Sequence, residues 1–294
     1  MSTPELIHPA HSVAPLLAEF TRQISQDLAG EAPELPGFPQ VALRVRRALA
    51  QDEIAIDDVV RIVSAEPSLA VRLLELANSA ALNPRAQRVT TLRTAIARMG
   101  FSLARSATMA FAMSQMCRAA AWRGLATHFR EVWDTSSRLA AISYVVAKHR
   151  ARDDADQALL AGMLHAMGRL FVLLRLGAFP ALLDDAAMRA ELEHVWRARA
   201  GRTLLERWDL GAEVLNAACD FDQAHAPGAG EPSLSDVLLV SRYLVGVVDP
   251  AEIAEAAFIT APAFQRLALD ASGAAAVLSA SAAEIASLRT ALAD

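Results

Sequence analysis

Residues 158–176 read ALLAGMLHAMGRLFVLLRL, an apolar stretch whose first half is interrupted only by His165. It is too apolar for a surface helix, and His165, Arg169 and Arg175 punctuate it too often for a membrane span of about 20 clean residues. The stretch predicts a helix through the centre of a soluble protein, with the other elements packed around it. A histidine in that setting is either hydrogen-bonded to a neighbour or part of a site. Which of the two holds decides whether the chain carries chemistry.

The rest of the composition fits a helical core. The chain has 294 residues and is 54% apolar, rich in alanine and with only 5% aromatics, which favours close-packed helices over sheets. Lys148 is the only lysine, so arginine carries the positive charge. The net charge of −5 is uneven. Residues 1–130 hold 14 Arg against 11 acids, and residues 131–294 hold 14 Lys and Arg against 22 acids. Between Glu75 and Glu131 no acid occurs, while Arg85, Arg88, Arg93, Arg98, Arg105, Arg118, Arg123 and Arg130 do. Such an interval can attract phosphates, nucleic acid or an acidic protein surface, or it can be neutralised within the fold by the acidic second half.

Cys117 and Cys219 make neither a disulfide framework nor a metal spacing, and the first residues, MSTPELIHPAHSV, have no basic start and no apolar run. A cytoplasmic location without a membrane partner is expected. His8, His11, His128, His149, His194 and His225 form no two-ligand spacing, and Trp122, Trp133, Trp196 and Trp208 read as core fillers. No glycine-rich phosphate loop and no G-x-S-x-G elbow is present.

Periodicity predicts an amphipathic helix from Ala14 to Leu28, then a connector in which Pro33, Pro36 and Pro39 forbid helix. Helices follow over Val41–Leu49 and Ile56–Val63, and a third opens at Glu66-Pro67 with Leu69, Leu73, Leu76 and Ala77 on one face and Arg72 and Glu75 pointing away. Over residues 57–83 this is a helical hairpin, a form used both for packing and by DNA readers, of which packing is the commoner. Asn78, Ser79 and Asn83-Pro84 then break the helix, Thr90 or Thr91 caps the next, and Gly100 stops it. Near the C-terminus Ser281 and Glu284 have capping-box spacing.

The order LPGFPQVALRV (35–45), EPSLAVRLLELANSAALN (66–83) and VTTLRTAIARMGFSLARSATMAFAM (89–113) resembles the N-terminal half of the HDOD family, the HD-related output domain of bacterial signalling proteins. The resemblance covers about three quarters of the chain. It implies an all-α fold, an N-terminal helical subdomain packed on a degenerate HD-like helical bundle. It also implies the divisions 1–30 (extension), 31–130 (N-terminal subdomain), 131–250 (HD-like subdomain) and 251–294 (alanine-rich closing helices).

Active HD enzymes hold a metal with an early histidine, a His-Asp pair and a later aspartate, and the metal activates water. The positions of this chain that match are Thr135, His165, Ala166 and, in SLSDVLLVSRYL (233–244), Asp236. A hydroxyl and a methyl group replace two ligands, and two survivors seldom hold a catalytic ion. His165 is therefore expected to be a structural residue, with Asp236 as its partner, and no metal and no cofactor are expected.

The resemblance then implies a non-catalytic regulatory protein of signal transduction that binds a signalling partner or a small anionic ligand such as a nucleotide or phosphate. Homodimerisation is compatible with this reading. The candidate binding surface is Asn78, Ser79, Arg85, Arg88 and Arg93. A residual metal-dependent phosphohydrolase is the alternative, and a nucleic-acid binder acting through residues 57–83 a weaker one.

Overall fold

The computed structural model describes residues 13–30, 40–49, 54–85, 87–118, 124–150, 155–208, 210–221, 230–246 and 261–293. The proline-rich connector, the start of the chain, Trp122, Arg123, His225 and Asp249-Pro250 lie outside the described residues. Every regular element among the described residues is helical, so the protein is all-α.

In chain order the helices are α1 (Val13–Ala29), α2 (Gln40–Leu49), α3 (Ile56–Ser64), α4 (Pro67–Ala77), α5 (Leu92–Arg118), α6 (Ala126–Arg150), α7 (Ala155–Leu164) and α8 (Met167–Leu176). They continue with α9 (Pro180–Asp184), α10 (Ala186–Leu205), α11 (Ala212–Asp220), α12 (Leu234–Val245), α13 (Pro262–Arg266), α14 (Ala271–Ala280) and α15 (Ala282–Ala293). Local chemistry explains several boundaries. Pro67 opens α4, where its missing N–H costs nothing. The Thr91 hydroxyl accepts from the Thr94 amide at the start of α5. Gly100 sits at φ 73° inside α5 and bends it, a conformation that L side chains adopt only with strain.

The apolar stretch of the centre is not one helix. It divides at His165 and Ala166 into α7 and α8. A glycine on each side of the break allows a close helix crossing. A Cβ on Gly162 would stand 2.8 Å from Ala140 Cα of α6, and a Cβ on Gly168 would stand 1.9 Å from the Arg197 carbonyl oxygen of α10. No side chain fits either gap, so α7 lies directly on α6 and α8 directly on α10. The stretch Ala155–Leu176 is long and apolar enough to cross a membrane, yet most of it is buried inside the protein.

One hydrophobic core runs from Phe20 to Leu292 and includes Phe129, Phe171, Phe221, Trp133 and Trp196. The ends of the described chain close over it. α1 packs on α8 and α9, where Phe20 meets Phe179 edge to face and Asp27 pairs with Arg175. α15 packs on α4, α5 and α6.

Two expectations about these helices change. Arg72, read as pointing outward, is buried beneath α15 and donates to Glu75 at 3.0 Å and to the Ala291 carbonyl at 3.2 Å. Ser281 and Glu284 do not close a capping box. The Ser281 hydroxyl faces His149 Nε2 at 3.3 Å and Glu284 takes Lys148 Nζ at 2.6 Å, both on the last turn of α6. In each case the docking of α15 supplies a partner that the local sequence does not contain.

Candidate functional site

The break between α7 and α8 opens onto a cleft of about 420 Å³. Its floor is His165 and Ala166, with Thr135 of α6 beside them. One wall is a stripe of α10 at helical spacing, Ala190, Glu193, His194 and Arg197, and Arg169, Phe221 and Arg242 complete the lining. Three of the four positions that match HD ligands therefore meet here.

The fourth does not. Asp236 lies at the start of α12 and does not line the cleft. Its Oδ2 accepts from the backbone N–H of Ser233 at 2.9 Å and from the Ser233 hydroxyl at 2.8 Å, while Ser233 caps the Asp236 amide in return. The Arg266 guanidinium grips the same carboxylate, Nε to Oδ2 at 3.0 Å and Nη2 to Oδ1 at 2.5 Å. Burial alone would push this carboxyl up, but the bonds from Arg266 and Ser233 outweigh it and leave it below its ordinary value. The expected pairing of His165 with Asp236 is thus replaced by a capping box and an ion pair. Ser233-x-x-Asp236 has the spacing of a capping box before an apolar run, a signal the sequence did carry.

His165 turns its ring back on α7. Its Nδ1 lies 2.6 Å from the Gly162 carbonyl, one of the four that a helix end leaves without an internal partner. A carbonyl only accepts, so Nδ1 donates the proton of this bond. The ring meets Phe221 edge to face at 6.1 Å.

A divalent metal does not fit these residues. Ala166 offers a methyl group and Thr135 a neutral hydroxyl, and Glu193 is bound to Arg169 Nε at 2.6 Å. Arg169, Arg197 and Arg242 also line the cleft, and a guanidinium has no lone pair to offer a metal. Among the described residues no three His, Cys, Asp or Glu side chains come together as ligands would.

The five residues of the candidate binding surface separate into different roles. Asn78 is a structural clamp, its Nδ2 donating to the Leu74 and Val89 carbonyls and its Oδ1 accepting from the Val89 amide, each at 2.8 Å. Asn83 pins the same loop through Gln87. Ser79 is buried, in a second cleft between α4 and α15, and the neighbouring Ala80 amide donates to Ser287 at 2.9 Å. Arg93 is exposed and pairs with Asp57 of α3. Arg85 and Arg88 remain exposed on the outer side of the loop. Of the hairpin read as a possible DNA reader, α4 turns Leu69, Leu73, Leu76 and Arg72 into the protein.

An all-α bundle whose signature helix ends in a histidine over a polar cleft defines the HD-like class of folds. The comparisons agree and narrow it. The HDOD domain matches residues 35–223, and the chain belongs to that family.

At 22% identity the fold resembles a candidate metal-dependent phosphohydrolase from Shewanella amazonensis SB2B, with a TM-score of 0.73 over 94% of this chain and 98% of that one. It also resembles an HDOD domain protein of unknown function from Geobacter sulfurreducens, at 19% identity and a TM-score of 0.64 over 96% of this chain and 98% of that one. A third likeness is to a candidate signal transduction protein from Marinobacter aquaeolei VT8, at 18% identity and a TM-score of 0.58 over 94% of this chain and 66% of that one. An uncharacterized protein of Treponema pallidum (strain Nichols) is 23% identical over 247 residues, which are 77% of this chain and 46% of that protein. The chain spans about half the length of this curated relative.

Proposed function

We propose that this chain is a non-catalytic regulatory protein of signal transduction, acting in the cytoplasm by binding a partner protein or a small anionic ligand. The observation that carries this reading is the chemistry around His165. Thr135 and Ala166 flank it in the cleft, and Asp236 is held away by Arg266 and Ser233. A hydrolytic HD centre needs several convergent ligands to bind an ion and activate water.

Arg85 and Arg88 are the groups offered to an acidic partner. They are exposed on a loop that Asn78 and Asn83 hold in shape, so little order has to be gained on binding. The test is recovery of a signalling partner with the full chain as bait. Arg85→Glu with Arg88→Glu should weaken recovery in a salt-dependent way, and undiminished recovery would remove this surface from the proposal.

A residual metal-dependent phosphohydrolase is the second reading. It is favoured by the Shewanella fold likeness and by the place of His165 in the cleft, at a position that matches an HD ligand. Elemental analysis of the purified protein decides between the two. A stoichiometric divalent ion with phosphodiester hydrolysis would establish the second reading, and a metal-free folded protein the first.

A further inference from the structure

Ser79 lies in the floor of the cleft between α4 and α15, 5% exposed, and among the described residues its hydroxyl oxygen has no hydrogen-bond partner. Its backbone is fully committed: the amide donates to the Leu76 carbonyl at 3.0 Å, and the carbonyl accepts from the Leu82 and Asn83 amides at 3.1 and 2.8 Å. The hydroxyl is therefore held in place by bonds in which it takes no part. A buried hydroxyl without a bond works against folding, so its presence calls for a use.

The rest of the lining is polar and already in position. Ser287 of α15 accepts from the Ala80 amide at 2.9 Å and keeps its own O–H to donate. Thr290, on the same helix, donates to the Ala286 carbonyl at 3.1 Å and keeps its lone pairs to accept. Glu75 stands at the rim, its side chain 48% exposed and its Oε2 on Arg72. Asn78 spends its amide on Leu74 and Val89, so it shapes the cleft. Because α15 lies beyond the matched residues 35–223, the cleft joins a segment inside the HDOD match to one outside it.

From this arrangement we infer that the α4–α15 cleft is a binding site for a small polyhydroxyl molecule, a sugar or a polyol. The inference is independent of the metal site and of the Arg85 and Arg88 surface, so failure of one leaves the others standing. A ligand hydroxyl both donates and accepts, which suits the Ser79 hydroxyl, the Ser287 donor and the Thr290 acceptor together. The Glu75 carboxylate accepts and never donates, and such a group takes sugar hydroxyls, as the acidic residue of dinucleotide-binding folds takes a ribose. The volume of about 460 Å³ falls within the range of small-molecule sites, about 300–1,000 Å³. Ser79 and Ser287 come from helix-bound positions on two elements, so little order has to be gained on binding.

Saturation-transfer NMR on the full chain with D-ribose and with trehalose as probes tests this. Saturable binding of either sugar is the expected result, and binding of neither would overturn the site. Ser79→Ala should weaken binding by about fivefold, the loss of one neutral hydrogen bond. Thr290→Trp, a change at an exposed position of the lining, should fill the mouth and abolish binding. Glu131→Gln, an exposed change outside the cleft, should leave it intact. Equal transfer to all three variants would show non-specific contact and overturn the site. Ser79→Ala should also keep or raise the urea midpoint, because no bond within the protein is lost. A lowered midpoint would give the hydroxyl a structural use and overturn the inference.

Discussion

Asp236 and Arg266 form a buried two-pronged ion pair, with Nε 3.0 Å from Oδ2 and Nη2 2.5 Å from Oδ1, and their side chains are only 2% and 10% exposed. The pair ties the start of α12 to α13 and removes from the cleft the aspartate that the HD pattern would have placed there. Arg266→Ala leaves a buried carboxylate without its cation and should cost about 3–5 kcal/mol in urea unfolding. A loss below 1 kcal/mol would mean that the Ser233 cap alone carries Asp236.

The same pair predicts a pH dependence. Because the folded Asp236 carboxyl lies below its ordinary value, its contribution is complete above the unfolded value of about 3.9 and is lost as pH falls through the lower folded value. The Tm gap between the wild type and Asp236→Asn should therefore be constant from pH 7 to 5 and shrink below about pH 4. A gap that does not change down to pH 3 would contradict the assignment.

Gly168→Ala forces a methyl group to within 1.9 Å of the Arg197 carbonyl oxygen, so α8 and α10 must separate. The expected cost is about 3 kcal/mol or more, the upper end of overpacking penalties. Gly100→Ala meets nothing within 4 Å and costs only the strain of φ 73°, ψ 169°, about 1–3 kcal/mol. Denaturant midpoints in the reverse order would show that the helix crossing is more yielding than its geometry implies.

Arg85→Glu with Arg88→Glu changes exposed residues without described ion-pair partners, so stability should stay within about 0.5 kcal/mol. Any loss of partner recovery by this variant is then a loss of contact and not of folding, and circular dichroism melting on the same samples checks it.

Burial pushes both Cys117 and Cys219 up to about 12. At pH 8 the thiolate fraction is on the order of one in ten thousand. Neither thiol should react with iodoacetamide over an hour in the native protein, and both should react in guanidinium. Rapid native labelling would show that the helices around α11 or the end of α5 open readily.

Much of this architecture is written locally. The predicted helix Ala14–Leu28 is observed as Val13–Ala29, and Ile56–Val63 as Ile56–Ser64. The α4 start at Pro67, the Thr91 cap and the interruption at Gly100 each follow from one or two residues. Residues 35–113 carry enough of the HDOD pattern for the family to be read from the chain, and the family match covers them. The hydroxyl of Thr135 and the methyl of Ala166 are equally legible, because a side chain's chemistry is the same in any fold.

What the chain could not announce is which distant groups meet. Asp236 reads equally as a metal ligand or as a cap, and Arg266, thirty residues on, decides between them. Arg72 looks outward until α15 arrives over it with the Ala291 carbonyl, 219 residues away in sequence. The central apolar run reads as one helix until Gly162 and Gly168 seat it against two different neighbours. The convergence of Arg169, Arg197 and Arg242 is likewise invisible in a linear charge count. The sequence by itself determined helix extents, family and the residue types at Thr135 and Ala166, because these depend on backbone propensity and side-chain chemistry over a few residues. Only the tertiary structure decided the partners of each charge, because the burial and approach that give a charge its meaning are properties of packed helices and not of the segments they come from.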